Sequence, residues 1–250
     1  MSFNEFNRNT SFLQGVKKSD SFTHINEGLR AYLLRVYQLM GLGLLVSALT
    51  AFLGTTKVMF PLLFTATPQG VSYSLLGWIF IIAPLILVFM FGSAVRNINP
   101  AKARTIFWIF SALMGFSFST ILLVFTPESL FQTFIVAAGS FGGLCLYGYT
   151  TKRDLTSIGA FMHMGLWGII IAMIVNWFMK SPALSYAISI IGVAVFVGLT
   201  AYDSQKIKQM YNNNDTKELT ESKAISGALE LYLDFINLFL MLLRFMGNRK

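Results

Sequence analysis

The sequence has little charge. Only 12% of its 250 residues are Asp, Glu, Lys or Arg, whereas 55% are hydrophobic. A soluble domain has about 25% charged residues. No long hydrophilic segment remains that would form a soluble domain beside the apolar runs. The shortage of charge therefore indicates that lipid is the solvent for most of this chain.

Cysteine is almost absent as well, since Cys145 is the single one and lies in an apolar run. This excludes an intrachain disulfide and a cysteine-based metal cluster. The net charge is +8, but the basic residues lie mainly between apolar runs. That pattern is typical of orientation signals at a membrane surface. We therefore expect membrane lipid, and not nucleic acid, as the surroundings of the chain.

Seven apolar runs are long enough to cross a bilayer, which takes roughly 20 residues. They predict an all-α, multi-pass membrane protein. The first run starts too late, and is too long, for a cleaved signal peptide. Residues 1–30 are polar and are expected to form a cytoplasmic tail, disordered or on the membrane surface, before one seven-helix domain at 31–250. The predicted spans 1 to 7 are 31–53, 74–95, 105–125, 130–150, 157–179, 184–208 and 225–246.

Lys and Arg predict the orientation. The tail and the links after spans 2, 4 and 6 are basic, whereas the opposite links carry only Lys57 and Lys180. The positive-inside rule then places the N-terminus in the cytoplasm. Arg244, Arg249 and Lys250 at the end of span 7 leave two alternatives: a full crossing, or a re-entrant helix with both ends in the cytoplasm. The apolar length of span 7 favours the full crossing.

Two packing signals are visible within the spans. Pro84 is expected to kink span 2, because proline lacks a hydrogen-bond donor and clashes with the preceding turn. Gly139 and Gly143 have the small-xxx-small spacing that lets two helices approach closely. Ordinary packing explains both signals, so neither points to a function.

The ionisable residues inside the spans are the best functional candidates. Asp203 lies near the cytoplasmic end of span 6, and Asp234 lies about ten residues, on the order of 15 Å, into span 7. The two spans are joined by a short link, so a contact between the carboxyl groups is expected. Taken singly, Asp203 can balance Lys206 and Lys208 at the membrane edge, and Asp234 can be a protonated, hydrogen-bonded acid.

Together the two aspartates predict a sensor. Two nearby carboxylates in a low dielectric repel each other when both are ionised, so the pair can share a proton and titrate as a unit. A shared proton favours a closed contact, and its loss separates the two groups or requires a cation. Oxygen ligands favour hard ions such as calcium, so Asp203 and Asp234 are also the candidate metal ligands.

Three further residues are candidate accessories. Glu230 and Asn237 flank Asp234 at i−4 and i+3, on a helical face that cannot comfortably meet lipid. An extra carboxylate at Glu230 is expected to widen the cation site or to favour protonation of Asp234. His163 lies within span 5, where a single histidine is more often a hydrogen-bonded packing residue.

An enzyme is the other way to use two aspartates. Tyr202 and Asp203 are similar to one motif of the intramembrane aspartyl proteases. Their second motif places glycines before the aspartate, whereas Asp234 follows Leu-Tyr-Leu. A Pro-Ala-Leu sequence is present at 182–184, but it precedes span 6 instead of lying in a later helix.

A resemblance over nearly the whole chain narrows these alternatives. The segments AYDSQKIKQMY, LYLDFINLFLMLLRF and LYGYTTKRDLTSIG resemble the Bax inhibitor-1 family, in its bacterial branch. The resemblance implies that span 7 runs through the centre of the other six, and that calcium leaks across the membrane in a pH-dependent way. It implies that Asp203 and Asp234 form the gate and that Arg96 is a candidate counter-charge. It also implies a bacterial inner membrane.

The sequence thus predicts a pH-sensitive calcium or cation leak channel that is not an enzyme. Calcium is the transported ion, and no cofactor is expected. The expected partners are membrane lipid and calcium ions. One alternative is a non-conducting regulator of a membrane protease or stress factor, and a second is an intramembrane aspartyl protease.

Overall fold

The computed structural model describes the backbone of residues 3–67, 70–96 and 98–250. It describes the side chains of residues 27–65, 72–88, 90–93 and 98–250. The described elements are α1 (Phe3–Gly54), α2 (Phe60–Leu63), β1 (Phe64–Thr67), β2 (Gly70–Tyr73), α3 (Leu75–Arg96), α4 (Pro100–Val124), α5 (Pro127–Thr150), α6 (Thr156–Met179), α7 (Pro182–Met210) and α8 (Lys217–Met246).

Seven of the described helices contain stretches that are long and apolar enough to cross a membrane, and each overlaps one predicted span. The prediction of an all-α, multi-pass membrane protein is confirmed. The tail, expected to be disordered or on the surface, has a helical backbone from Phe3 that continues into the first stretch. The stretches are Glu27–Gly54, Leu75–Ser93, Pro100–Val124, Pro127–Thr150, Thr156–Met179, Pro182–Met210 and Lys217–Met246.

Local sequence signals set where several helices begin. In α4, α5 and α7 a proline at the first helical position follows a capping residue: Asn99, Thr126 or Ser181. Each capping side chain accepts a hydrogen bond from a backbone N–H three residues ahead. Such a residue satisfies one of the free N–H groups at a helix start, and proline fits there because its missing N–H is not needed.

Helix α8 is the core of the bundle. Two thirds of its apolar stretch (67%) is buried, compared with at most 39% in any other span. It packs against α1, α3, α4, α5 and α7, whereas α6 lies at the edge against α7 and is only 11% buried. The central position expected for span 7 is confirmed, and α6 is the least buried of the seven spans.

The most extensive helix contact is between α1 and α4. A methyl group at Gly115 would overlap Thr50 and the backbone of Ser47, so only glycine fits there. The close packing predicted at Gly139 and Gly143 is wrong, because both face open space with no atom within 4 Å of a Cβ position. Small residues permit close approach, but they do not by themselves select the face that packs.

Helix α8 crosses the whole bundle in parallel with α4. Near its start, Glu221 binds Arg104 at the start of α4. Beyond its end, the Lys250 backbone N–H donates to the Val124 carbonyl over 2.9 Å, and the Thr126 N–H donates to the Asn248 carbonyl over 3.1 Å. The two ends of α8 therefore lie at opposite ends of α4, which excludes the re-entrant alternative.

Candidate functional site: a buried aspartate pair between α7 and α8

The carboxyl groups of Asp203 and Asp234 lie close enough to interact with each other between α7 and α8. Asp203 is 7% exposed and Asp234 is 6% exposed. Oδ2 of Asp234 is fully buried and has no hydrogen-bond partner among the described residues. The structure therefore brings together the two residues that the sequence singled out, and it leaves one buried oxygen free to bind a proton or a cation.

An ion pair lies one helical turn from the aspartates, towards the end where α7 finishes and α8 begins. Lys206 Nζ donates to Glu230 Oε2 over 3.0 Å, so the pair joins α7 to α8 as the aspartates do. Both of these side chains are partly exposed, in contrast to the aspartates. Glu230, expected to add a second negative charge to the site, is thus paired with a lysine on the opposite helix, while its charge still acts on both aspartates.

Residues from α1 and α5 close the other side of the site. Ser204, next to Asp203, donates its hydroxyl to the Cys145 carbonyl over 2.9 Å. The Tyr37 hydroxyl lies 3.4 Å from Ser204 Oγ, and the Cys145 thiol is near enough to Asp234 to interact electrostatically with it. Four helices therefore surround the pair, which explains its burial.

The candidate accessory residues differ in their contacts. Asn237 donates its side-chain amide to the Leu233 carbonyl of its own helix over 2.9 Å. Nδ1 of His163 lies 2.8 Å from the Gly159 carbonyl, and the His163 ring meets the edge of Tyr202. His163 is also close enough to Asp203 to interact electrostatically with it. The side chain of Arg96, the predicted counter-charge, lies outside the described residues.

The sequence did not predict the partners of the basic residues near the site. In the alternative interpretation of Asp203 taken singly, it balances Lys206 and Lys208. Lys206 instead pairs with Glu230, and Lys208 Nζ donates to the Tyr149 carbonyl over 2.7 Å and lies 4.8 Å from the centre of the Tyr149 ring.

A second ionic cluster ties three helices together where α8 begins. Glu221 on α8 accepts from Arg35 of α1 over 2.8 Å and also binds Arg104 of α4. These partners lie 186 and 117 residues away along the chain, so sequence spacing gave no signal for the cluster.

The acids near the pair do not form a complete metal cage. Within the described part of the chain, no three His, Cys, Asp or Glu residues are arranged so that they could hold a metal ion. Calcium takes six to eight oxygen ligands. Asp203 and Asp234 can supply only part of that set, so water or backbone oxygens would have to complete the coordination of a bound ion.

Comparison with known proteins now decides the family. A family model described as "Inhibitor of apoptosis-promoting Bax1" matches residues 29–250. The chain belongs to the Bax inhibitor-1 family. The predicted resemblance is confirmed, and the match includes all seven membrane-spanning stretches but for the first two residues of the first.

Relatives of similar length support this assignment. The inner membrane protein YbhL of Escherichia coli is 44% identical over 236 residues, covering 93% of this chain and 98% of that protein. The uncharacterized protein RP147 of Rickettsia prowazekii is 43% identical over 96% of this chain and 98% of its own length. An uncharacterized protein of Caulobacter vibrioides is 40% identical over 99% of both chains.

Proposed function

We propose that this Bax inhibitor-1 family member is a pH-sensitive calcium or cation leak channel. The closeness of the two buried, interacting carboxyl groups, on adjacent helices that are each long and apolar enough to span the membrane, carries the proposal. YbhL is named an inner membrane protein, which supports the bacterial inner membrane as the location of this chain.

Protonation is the proposed switch. Two carboxyl groups in contact at low dielectric cannot both ionise without strong repulsion, so one shared proton holds α7 and α8 together. Loss of that proton as the pH rises pushes the helices apart or draws in a cation, and flux increases with pH. The charged and titratable groups that surround the pair are Lys206, Glu230, His163, Cys145 and Tyr37.

In this structure the half of α8 beyond Asp234 packs tightly against α7, which supports a closed arrangement. Beyond Asp234, the buried side chains Leu238 and Met241 fill the space towards the helix end. Met241 packs so tightly on Gly192 of α7 that a methyl group at Gly192 would overlap it. A hydrated ion has no polar ligand along such a contact, so conduction requires α7 and α8 to separate.

In this proposal a cation reaches the aspartate pair by way of Glu230. It is the more exposed carboxylate, one turn from Asp234, and its partner Lys206 can exchange for an incoming cation. The candidate path therefore runs from Glu230 to the aspartates. From the resemblance, Arg96 remains the proposed counter-charge, and Asn237 and His163 the proposed accessories.

Calcium flux through the purified protein, in proteoliposomes across pH 6–8, is the direct test. We expect flux that increases with pH in vesicles containing this chain alone. Absence of flux at every pH in that range, with folded protein in the vesicles, contradicts the proposal.

One observation favours a second candidate, a non-conducting regulator. The matching family is described by inhibition of another protein, and not by transport. A regulator would show no flux alone but would co-purify with a membrane partner such as a protease or stress factor. The protease alternative is not carried further: α8 is an unbroken helix through Asp234, and the aspartates lack the exposure that a peptide substrate needs.

A further inference from the structure

A cleft separates α1 from α5, although both helices pack against α8. At the end of the bundle where α1 enters the membrane, the cleft holds a hollow of about 510 Å³. Further along it, a second hollow of about 310 Å³ lies between α1, α4, α5 and α8. We call these two hollows together the α1–α5 cleft. Its first hollow is lined by residues that include Arg30, Leu33, Tyr37, Gly142, Cys145 and Tyr149.

The chemistry of the cleft changes along its length. Arg30 is exposed at one end, and Lys208 lies against Tyr149 at the same end, so positive charge gathers there. The second hollow is lined almost wholly by apolar side chains, among them Leu44, Phe134 and Phe239. No Asp or Glu is among the described residues that line either hollow.

The first hollow follows the start of a lipid chain. From Arg30 to Tyr37 the helix rises about 10 Å at 1.5 Å per residue, within the roughly 15 Å of one leaflet. An apolar tail that enters beside Arg30 can therefore place the part nearest its headgroup in the first hollow. The second hollow starts further from Arg30, at Leu44, and shares no lining residue with the first.

We propose that the α1–α5 cleft binds an anionic phospholipid from the leaflet on the side of Arg30, which the positive-inside rule makes cytoplasmic. The lipid phosphate lies at Arg30, whose guanidinium suits bidentate binding of phosphate oxygens. Basic residues at the membrane edge attract anionic headgroups. An acyl chain packs on the apolar walls of the first hollow, among them Leu33 and Leu146. This proposal is independent of ion conduction.

Glycine substitutions provide a matched test. Gly142 lines the first hollow, and a Cβ atom there meets no atom within 4 Å, so Gly142→Leu adds a side chain to the hollow without a clash at its Cβ. Gly143 is equally free of neighbours but is turned about 100° away on the helix. Gly143→Leu therefore adds the same side chain to α5 outside the cleft.

Lipid binding is measured on the purified, delipidated full chain by native mass spectrometry, during titration with phosphatidylglycerol or phosphatidylcholine. We expect tighter binding of phosphatidylglycerol, and Arg30→Gln should weaken it by about five-fold, the effect of one basic residue at an anionic surface. Gly142→Leu should abolish the binding of phosphatidylglycerol, and Gly143→Leu should leave it unchanged.

Three results overturn the proposal. The first is equal binding of both lipids by the wild-type chain. The second is an identical effect of the two glycine variants on phosphatidylglycerol binding, with both variants monodisperse in gel filtration. The third is full displacement of phosphatidylglycerol by inorganic phosphate, because the headgroup alone would then account for the binding.

Discussion

The carboxyl group of Asp234 lies where a charge is hardest to accommodate, on the most buried helix of a membrane protein. A buried acceptor without a partner costs free energy of about 1–3 kcal/mol, and more when it is charged. A single proton shared with Asp203 lowers that cost, because it turns repulsion into a hydrogen bond. For the same reason the pair is sensitive to pH, since removal of the shared proton restores the repulsion.

Asparagine at either aspartate tests this mechanism at the residue scale. Asp203→Asn and Asp234→Asn keep the side-chain shape but remove the shared proton. We expect calcium flux in proteoliposomes to lose its dependence on pH between 6 and 8. If both variants retain the wild-type profile, the pair is not the sensor.

Asp154 offers the matched control for these variants. It lies in the exposed link between α5 and α6, where hydrogen bonds from the Thr156 hydroxyl and backbone N–H lower the pKa of Asp154 below its ordinary value. Asp154 is therefore ionised throughout the range tested and cannot titrate there. Asp154→Asn should leave the pH profile of the flux unchanged.

The Lys206–Glu230 ion pair beside the aspartates predicts in which direction each of two substitutions shifts the pH dependence of flux. Lys206→Met removes a positive charge, which favours the protonated, closed pair, so flux should begin at a pH about one unit higher. Glu230→Gln removes a negative charge and should move the profile to lower pH. The flux midpoint of each variant in proteoliposomes measures the two shifts, and shifts in the same direction would contradict the electrostatic account.

At the scale of elements, the positions of the helices could be predicted, but most of their contacts could not. Runs of apolar residues determine where a chain can cross a bilayer, so all seven predicted spans match described helices. Which face of a helix packs depends on its neighbours in space. The Gly139 and Gly143 pattern therefore failed, whereas the tight contact at Gly115 lies in a small-xxx-small run of Ser111, Gly115 and Ser119 that was not singled out in the sequence.

Gly115 provides the stability prediction for an element. Gly115→Ala forces a methyl group into α1 at Ser47 and Thr50, and overpacking of this kind costs about 1–3 kcal/mol. We expect a lower temperature of thermal denaturation for this variant in detergent. Gly143→Ala adds the same methyl group in open space and should change that temperature little. Equal melting temperatures would show that the α1–α4 contact has room to relax.

The sequence predicted those contacts of the site that are made between helices joined by a short link. A short link joins α7 to α8, so one antiparallel pair of helices was enough to predict the contact of Asp203 with Asp234. The Lys206 to Glu230 pair needs the register of those helices, which the sequence did not reveal. Glu221 and its two arginines depend on the packing of three distant helices, so only the whole structure locates them.

At the scale of the whole molecule, the positions of the two ends of α8 determine on which side of the membrane the C-terminus lies relative to the N-terminus. Lys250 is anchored beside Val124, at the opposite end of α4 from Arg104. If the N-terminus lies in the cytoplasm, as the positive-inside rule predicts, seven crossings place the basic C-terminus outside. The hydrogen bonds between the last residues and the link after α4 hold the C-terminus at this end of the bundle, although its basic residues favour the cytoplasmic side.

Cysteine labelling checks that orientation, because Cys145 is the single native cysteine and Cys145→Ser removes it. In that background, Lys250→Cys should react with a membrane-impermeant thiol reagent in right-side-out vesicles. Asn213→Cys, in the exposed link between α7 and α8, should react only after the vesicles are permeabilised. The reverse pattern would invert the topology and the leaflet of the lipid site, and reaction of both from one side would mean that α8 does not cross, because its two ends then share a compartment.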